Sequence, residues 1–279
     1  MPELPEVETI VRALAPRISG STIVEVRATS HPKWATAAQA RGARITDVRR
    51  RGKHIVIDLD DHRSLDLHLG MTGVVTLLEH TRGLALPEPE RHERLLLLVK
   101  AGRATALVRL ADMRGFGHAV LATRGEDGAV DLPAHRAMGP EPLGDWTVDE
   151  FVAIARSRRA PIKALLLDQS VVAGVGNYLA DEALFAASVH PASPANELST
   201  RKLRMLHEAV RTVISASLAQ GGASLRNYRQ LDGAQGSTQE QLQAYGRVDL
   251  PCLRCGTPMC KAVVAGRGST YCPRCQRLH

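Results

Sequence analysis

Apolar positions along the chain change their period twice. Val7, Ile10, Val11, Leu14 and Ile18 recur at helical spacing and predict a first helix from about Pro5 to Ile18. Pro5 suits its first turn, Glu6 and Glu8 complement the positive end of its dipole, and Gly20 supplies the stop. The period then falls to two. Ile55, Ile57 and Leu59 share one side of His54–Asp60, and Leu65, Leu67 and Leu69 share one side of Ser64–Leu69. Further β-like runs at Val74–Leu78, Arg94–Lys100 and Thr105–Leu110, with Gly-containing turns between them, predict a β-sandwich or barrel ending near residue 121. Gly125–Gly144 is rich in Gly, Pro, Asp and His and reads as a linker. Helical spacing then returns over Asp149–Ser157, Pro161–Gln169, Tyr178–Ala187 and Ser199–Gln220. Gly221–Thr238 is polar and Gly-rich and reads as a mobile loop. The expected class is α+β. The expected division is an N-terminal β domain (1–121), a linker (122–144), a helical domain (145–241) with its loop at 221–238, and a tail (242–279).

The length of 279 residues suits two modest domains. Hydrophobic residues make up 44% and aromatics only 3%, so the cores must be built from Leu, Val, Ile and Ala. Lys and Arg number 36 against 29 Asp and Glu, a formal charge of +7 that favours a polyanionic partner such as nucleic acid. The chain has no run of about 18 apolar residues, so no membrane span is expected. Its acidic, Pro-rich start is unlike a signal peptide, and a cytoplasmic location follows as an expectation.

All five cysteines lie beyond residue 250, which argues for metal ligation in a reducing compartment and against a disulfide framework. Cys252-x2-Cys255 and Cys272-x2-Cys275 form two knuckles sixteen residues apart, and four thiolates at this spacing suit one tetrahedral Zn²⁺. Cys260, in an apolar context, reads as a small packed residue. Between the knuckles, Lys261–Thr270 reads as a hairpin with Arg267 at its tip, in Gly266-Arg267-Gly268. From Arg247 onward, six Lys and Arg stand against Asp249 alone, which fits phosphate recognition by a guanidinium held on a metal-braced finger.

The start Met1-Pro2-Glu3-Leu4-Pro5-Glu6-Val7-Glu8 resembles that of the formamidopyrimidine-DNA glycosylase family. The likeness runs the full length. It continues through His68-Leu69-Gly70-Met71-Thr72-Gly73, Asp112-Met113-Arg114-Gly115-Phe116-Gly117 and Gly139-Pro140-Glu141-Pro142-Leu143. Asp168-Gln169, Gly174-Val175-Gly176-Asn177 and Asp181-Glu182 resemble the family's helix–two-turn–helix. Gly221-Gly222-Ala223-Ser224-Leu225-Arg226-Asn227-Tyr228, then Tyr245-Gly246-Arg247 and the cysteine tail, complete the series. The resemblance implies an N-terminal β-sandwich with a leading helix, a C-terminal helical domain with the helix–two-turn–helix, and a zinc-ribbon finger.

On residue physics alone, Pro2 reads as a helix-entry proline and Glu3 as a solvated carboxylate. The resemblance gives both another role. Removal of Met1 makes Pro2 a terminal secondary amine, which attacks C1′ of a deoxyribose and forms a Schiff base. Glu3 becomes the acid/base that protonates the sugar ring oxygen. The catalytic set implied is Pro2, Glu3, Lys53 and Arg267, with Lys53 on a phosphate beside the lesion. His68, Asn177 and Arg267 become phosphate contacts, which set register without reading sequence. Met71, Arg114 and Phe116 become the group that fills the space left by a flipped nucleotide, with Arg114 pairing the orphaned cytosine. On spacing alone, Met71 and Phe116 are equally core residues. The activity implied is excision of 8-oxoguanine and formamidopyrimidines followed by β,δ-elimination at the abasic site. The partner is duplex DNA with oxidised bases or abasic sites, bound by a monomer, and the single zinc is structural.

Four places depart from the family pattern. Tyr178-Leu179 follow Asn177 in place of Ile-Tyr, Ala111 stands before Asp112 in place of Asn, and His92-Glu93-Arg94 differs from the usual motif. The lesion-capping loop carries Ala223-Ser224 and Asn227 where Ser/Thr-Thr and Asp are typical. The alternatives are an endonuclease VIII-like glycosylase for oxidised pyrimidines and a non-catalytic damaged-DNA-binding homologue. The long loop and the Met71/Arg114/Phe116 set weigh against the first, and Pro2, Glu3 and Lys53 against the second.

Overall fold

The computed structural model describes residues 2–79, 86–225 and 228–278. Met1 and Arg226-Asn227, which belong to the N-terminal and loop motifs, lie outside the described residues. The chain divides into two compact units. One comprises Met1–Arg136 with Gln220–Ser237, the other Ala137–Ala219 with Thr238–His279.

The first unit begins with α1 (Leu4–Ile18). Strand β1 (Thr22–Ala28) and a four-residue helix α2 (Pro32–Ala35) follow. Then come β2 (Ile45–Arg51), β3 (His54–Leu59), β4 (Arg63–His68) and β5 (Gly73–Glu79). The series closes with β6 (Glu93–Ala101), β7 (Ala104–Asp112), β8 (His118–Thr123) and the short helix α3 (Pro133–Arg136). Two four-stranded antiparallel sheets form, ordered β1-β6-β7-β5 and β2-β3-β4-β8.

The alternation read from the sequence explains their packing. Ile55, Ile57 and Leu59 from β3, and Leu65 and Leu67 from β4, enter one core with Leu95, Leu97, Val99, Val108 and Leu110 of the other sheet. The apolar stripe of α1 joins that core through Val7, Ile10, Val11, Leu14 and Ile18. Opposite-parity residues Leu96, Leu98 and Leu107 form a second, smaller cluster with Leu86. The fold is therefore the expected β-sandwich with a leading helix.

Two expectations about boundaries are corrected. In place of a linker over 122–144, the chain stays with the first unit as far as Arg136, through an Arg124–Val130 bridge and α3. In place of a loop at 221–238 within the helical domain, Gln220–Ser237 packs with the first unit, burying Tyr228 and Leu231 in its core.

The second unit is built from α4 (Val148–Ser157), α5 (Ile162–Leu167), α6 (Asn177–Ala186) and α7 (Thr200–Ala219). A hairpin of β9 (Cys260–Val264) and β10 (Arg267–Tyr271) ends it. Thr147 and Glu150 form a reciprocal cap at the start of α4. The α5–α6 connection is closed by one side chain. Gln169 donates from Nε2 to the carbonyls of Leu167 (3.1 Å) and Val175 (2.9 Å), and its Oε1 accepts from the Gly174 N–H (2.9 Å). Three backbone groups of the connection are bonded this way by one side chain, which fixes the two turns. No described helix is long and apolar enough to cross a membrane.

Candidate functional site

In the first unit, Pro2 and Glu3 are buried immediately before α1. The Glu6 carboxylate reaches back to the Glu3 N–H at 2.7 Å through Oε2. Its Oε1 accepts from the Ala223 N–H, also at 2.7 Å. Glu6 therefore joins the helix start to the loop at 220–237, and a segment read as mobile is anchored. Gly222 permits this approach. Its φ is +82°, and a Cβ there would lie 2.9 Å from Glu6 Oε1 and 3.2 Å from Glu6 Cα. Gly222→Ala is accordingly expected to lower stability by about 1–3 kcal/mol, read as a fall in the thermal midpoint. An unchanged midpoint would mean that the loop does not hold this conformation.

Lys53 occupies the two-residue turn between β2 and β3, where Arg51 pairs with His54, and it is buried. His68 ends β4. Burial, reinforced by His54 and His118, pushes its imidazole down to about 3, so the ring is neutral at pH 7. Nδ1 accepts from the Gly70 N–H at 3.2 Å, which assigns the ring proton to Nε2.

Met71, Arg114 and Phe116 meet at one place. The Arg114 guanidinium lies 3.4 Å from Met71 Sδ and 4.6 Å from the centre of the Phe116 ring. Phe116 is half exposed, at 52%, which excludes core packing. The buried Asp112 shapes this tip. It accepts from Thr72 Oγ1 at 2.5 Å and from the Gly117 N–H at 2.8 Å, and Thr72 Oγ1 accepts from the Arg114 N–H. Gly70 lets the two turns touch, since a Cβ would lie 2.6 Å from Gly117 N. Arg94 donates to the Asp112 carbonyl at 3.1 Å. Ala111 is simply the β7 residue paired with Val74.

The other predicted residues lie in the second unit. Asn177 opens α6, and its Nδ2 donates to the Gly268 carbonyl at 2.9 Å. Arg267 is exposed but does not form the turn itself. Ala265 and Gly266, with φ of +52° and +70°, make the turn, and Arg267 opens β10 opposite Val264. Tyr178, one of the departures, is buried, with its hydroxyl 3.1 Å from Ser217 Oγ.

A residue not anticipated holds the hairpin. Lys163 is fully buried and donates to Asp181 Oδ1 (2.6 Å), Ser269 Oγ (2.7 Å) and the Gly268 carbonyl (3.1 Å). Asp181 Oδ2 accepts from the Thr270 N–H. Burial pushes Asp181 up to about 6, against the pull of Lys163. Its neighbour Glu182 accepts from the N–H groups of Gln243, Ala244 and Tyr245. Asp181-Glu182 thus fastens the tail to α6.

Cys252, Cys255, Cys272 and Cys275 bring their Sγ atoms within 4.8 Å of one another. Cys255 Sγ is 3.5 Å from those of Cys272 and Cys275, close to the roughly 3.8 Å edge of a tetrahedral zinc–thiolate site. The N–H groups of Arg254 and Cys275 point at Cys252 Sγ and Cys272 Sγ, each at 3.4 Å, as donors to metal-bound thiolates do. The set fits one metal ion. Cys260 lies outside it.

A β-sandwich led by a helix, together with a helix–two-turn–helix that carries a four-cysteine hairpin, narrows the class considerably. Three family models match in chain order. They are the formamidopyrimidine-DNA glycosylase N-terminal domain over residues 1–119, the H2TH domain of the same enzymes over 138–229, and the zinc finger found in FPG and IleRS over 249–278. A formamidopyrimidine-DNA glycosylase of Herpetosiphon aurantiacus is 41% identical over 99% of this chain and 100% of its own length. The crystal structure of the Thermus thermophilus protein, 40% identical, aligns with a TM-score of 0.88 over 100% of both chains. A Lactococcus lactis relative in complex with abasic-site DNA is 33% identical, with a TM-score of 0.85 and 99% of each chain covered. The chain belongs to the formamidopyrimidine-DNA glycosylase family.

Proposed function

We propose that this protein is a DNA-repair glycosylase and abasic-site lyase that removes 8-oxoguanine and formamidopyrimidines from duplex DNA. The observation that supports this most is the burial of Pro2 and Glu3 at the positive end of α1, beside a capping loop tied down by Glu6. The reacting groups are then Pro2, Glu3 and Lys53, with Arg267 on the DNA backbone.

With Met1 removed, Pro2 is a secondary amine. Its ordinary pKa is about 8, and the helix N-terminus disfavours the ammonium form, so the neutral nucleophile is available at pH 7. The nitrogen lone pair forms the bond to C1′, the electrons of the glycosidic bond leave with the base, and the amine proton passes to the departing base. Glu3 gives its proton to the ring oxygen as the sugar opens, which completes the iminium. Loss of a C2′ proton then expels the 3′ phosphate, and δ-elimination expels the 5′ phosphate.

His68 donates from Nε2–H to a phosphate, as its tautomer allows. Lys53, Asn177 and Arg267 supply further backbone contacts. Met71 and Phe116 fill the vacated stack while Arg114 pairs the orphaned cytosine. Cys252, Cys255, Cys272 and Cys275 would hold one Zn²⁺, which would brace the hairpin and supply no step of the chemistry. The protein acts as a monomer.

The deciding test is borohydride trapping on a duplex with one 8-oxoguanine opposite cytosine. A covalent adduct through the N-terminus is expected, and its absence from correctly processed protein would overturn the reading. Arg267→Ala is expected to flatten the dependence of log affinity on log salt by about one unit. An unchanged slope would remove Arg267 from the phosphate contacts.

A further inference from the structure

We propose that His54, Asp66, His118 and His135 form a second metal site, separate from the four cysteines and suited to Zn²⁺ or a similar divalent transition ion. The cluster arises from strand parity. His54 and Val56 on β3, Asp66 and His68 on β4, and His118 and Val120 on β8 are cross-strand partners, and all lie on the face opposite Ile55, Leu67 and Ala119. Helix α3 adds His135 to the same face.

Three imidazole nitrogens converge on one carboxylate. His118 Nε2 lies 2.7 Å and His54 Nδ1 2.9 Å from Asp66 Oδ2, and His135 Nε2 lies 2.9 Å from Oδ1. The ligand atoms of His54, Asp66 and His118 all fall within 4.8 Å of one another. Metal–nitrogen and metal–oxygen bonds of about 2.0–2.2 Å put tetrahedral ligand atoms about 3.3–3.6 Å apart, so around an ion the His–Asp66 contacts lengthen by some tenths of an ångström, any wider pairs close, and each nitrogen that faces the carboxylate passes its proton to the other ring nitrogen or to solvent. Imidazole with carboxylate is a donor set for Zn²⁺, Fe²⁺ or Co²⁺ and a poor one for Ca²⁺ or Mg²⁺.

The electrostatics point the same way. Asp66 is fully buried in β4, where a carboxylate must be compensated, and the groups that compensate it are three imidazoles, which ligate metals when neutral. His118, a quarter exposed, gives an ion a way in. Once four-coordinate, the ion would pin β3, β4, β8 and α3 together. The rings of His54 and His118, centred 4.8 and 5.5 Å from that of His68, would be fixed with it. The site stands whether or not His68 meets a phosphate, because its ligands do not include His68.

The test is metal titration of the full-length protein after removal of bound metal, with Co²⁺ as probe and Zn²⁺ as competitor. Two equivalents are expected. One shows thiolate-to-cobalt charge transfer, and the other shows only the weaker d–d bands of nitrogen and oxygen ligands. His118→Ala combined with His135→Ala is expected to lose the second equivalent and keep the first. Wild type that takes up a single equivalent, with thiolate-type absorption alone, would overturn the proposal, as would a folded double variant that still binds two. If the double variant does not fold, the wild-type titration decides alone.

Discussion

Pro2→Gly is expected to reduce borohydride-trapped adduct by about two orders of magnitude or more, the lower range of what impairing a nucleophile costs. Glycine also permits removal of Met1, so the variant keeps a terminal amine, but a primary and less nucleophilic one without the proline ring. Binding to a duplex with a non-cleavable abasic analogue should change little, because Pro2 precedes α1 and the Glu6-to-Glu3 hydrogen bond uses the Glu3 N–H. The two readouts separate chemistry from recognition. Adduct formed at the wild-type rate would sink the proposal that this amine is the nucleophile, and a parallel loss of binding would show that Pro2 acts in recognition.

Lys163→Met should be the most destabilising single change in the second unit, at roughly 3–5 kcal/mol. It withdraws one cation from Asp181, Ser269 Oγ and the Gly268 carbonyl together, all beneath the strand that Arg267 opens. Duplex affinity should fall with it. Charge rather than lost volume is the cause, so Lys163→Met with Asp181→Leu should recover much of the stability. The sign of the pH dependence follows from Asp181, whose carboxyl burial already holds at about 6. Without Lys163 it rises further above its unfolded value, and the folded state then prefers the protonated acid. The penalty is therefore small below about pH 6, where both forms hold the protonated acid, and grows as pH rises from there toward the variant's higher pKa. A deficit, measured by urea unfolding, that is equal at pH 5 and pH 8 would rule out this electrostatic account.

The elements most legible in the sequence were those with one clean periodicity or an apolar run. The α1 stripe and the alternation of β3 and β4 are legible because their apolar residues share one face, and β6 and β7 are legible as apolar runs because they bury apolar residues on both faces. Strands β1, β2 and β8 were missed for a physical reason. In β1 only Ile23 is fully buried, β2 ends in Arg49-Arg50-Arg51, and in β8 the short run Ala119–Ala122 is only four residues long and only Ala119 of it is buried, so none carries a long apolar signal. The cysteine cluster and the Met71/Arg114/Phe116 grouping were legible because short spacing constrains them. Lys163 was hidden within the apolar stretch Ile162–Leu167, where a lone cation reads as solvent-facing. Asp66 was hidden likewise, since alternation marks it as an outward residue and says nothing of the three histidines that cover it. The loop was misplaced because its anchor, Glu6, lies more than two hundred residues away in sequence.

That anchor has a thermodynamic meaning of its own. One buried carboxylate divides its two oxygens between the first turn of α1 and the backbone of the 220–237 loop. Swinging the loop away takes a donor from a desolvated oxygen, at about 1–3 kcal/mol, and leaves the carboxylate less firmly fixed where it holds the Glu3 N–H. Loop position and the geometry of the N-terminus are therefore linked variables. Whatever seats the loop also tightens the helix start that carries Pro2 and Glu3, and, by reciprocity, whatever occupies that end favours the seated loop.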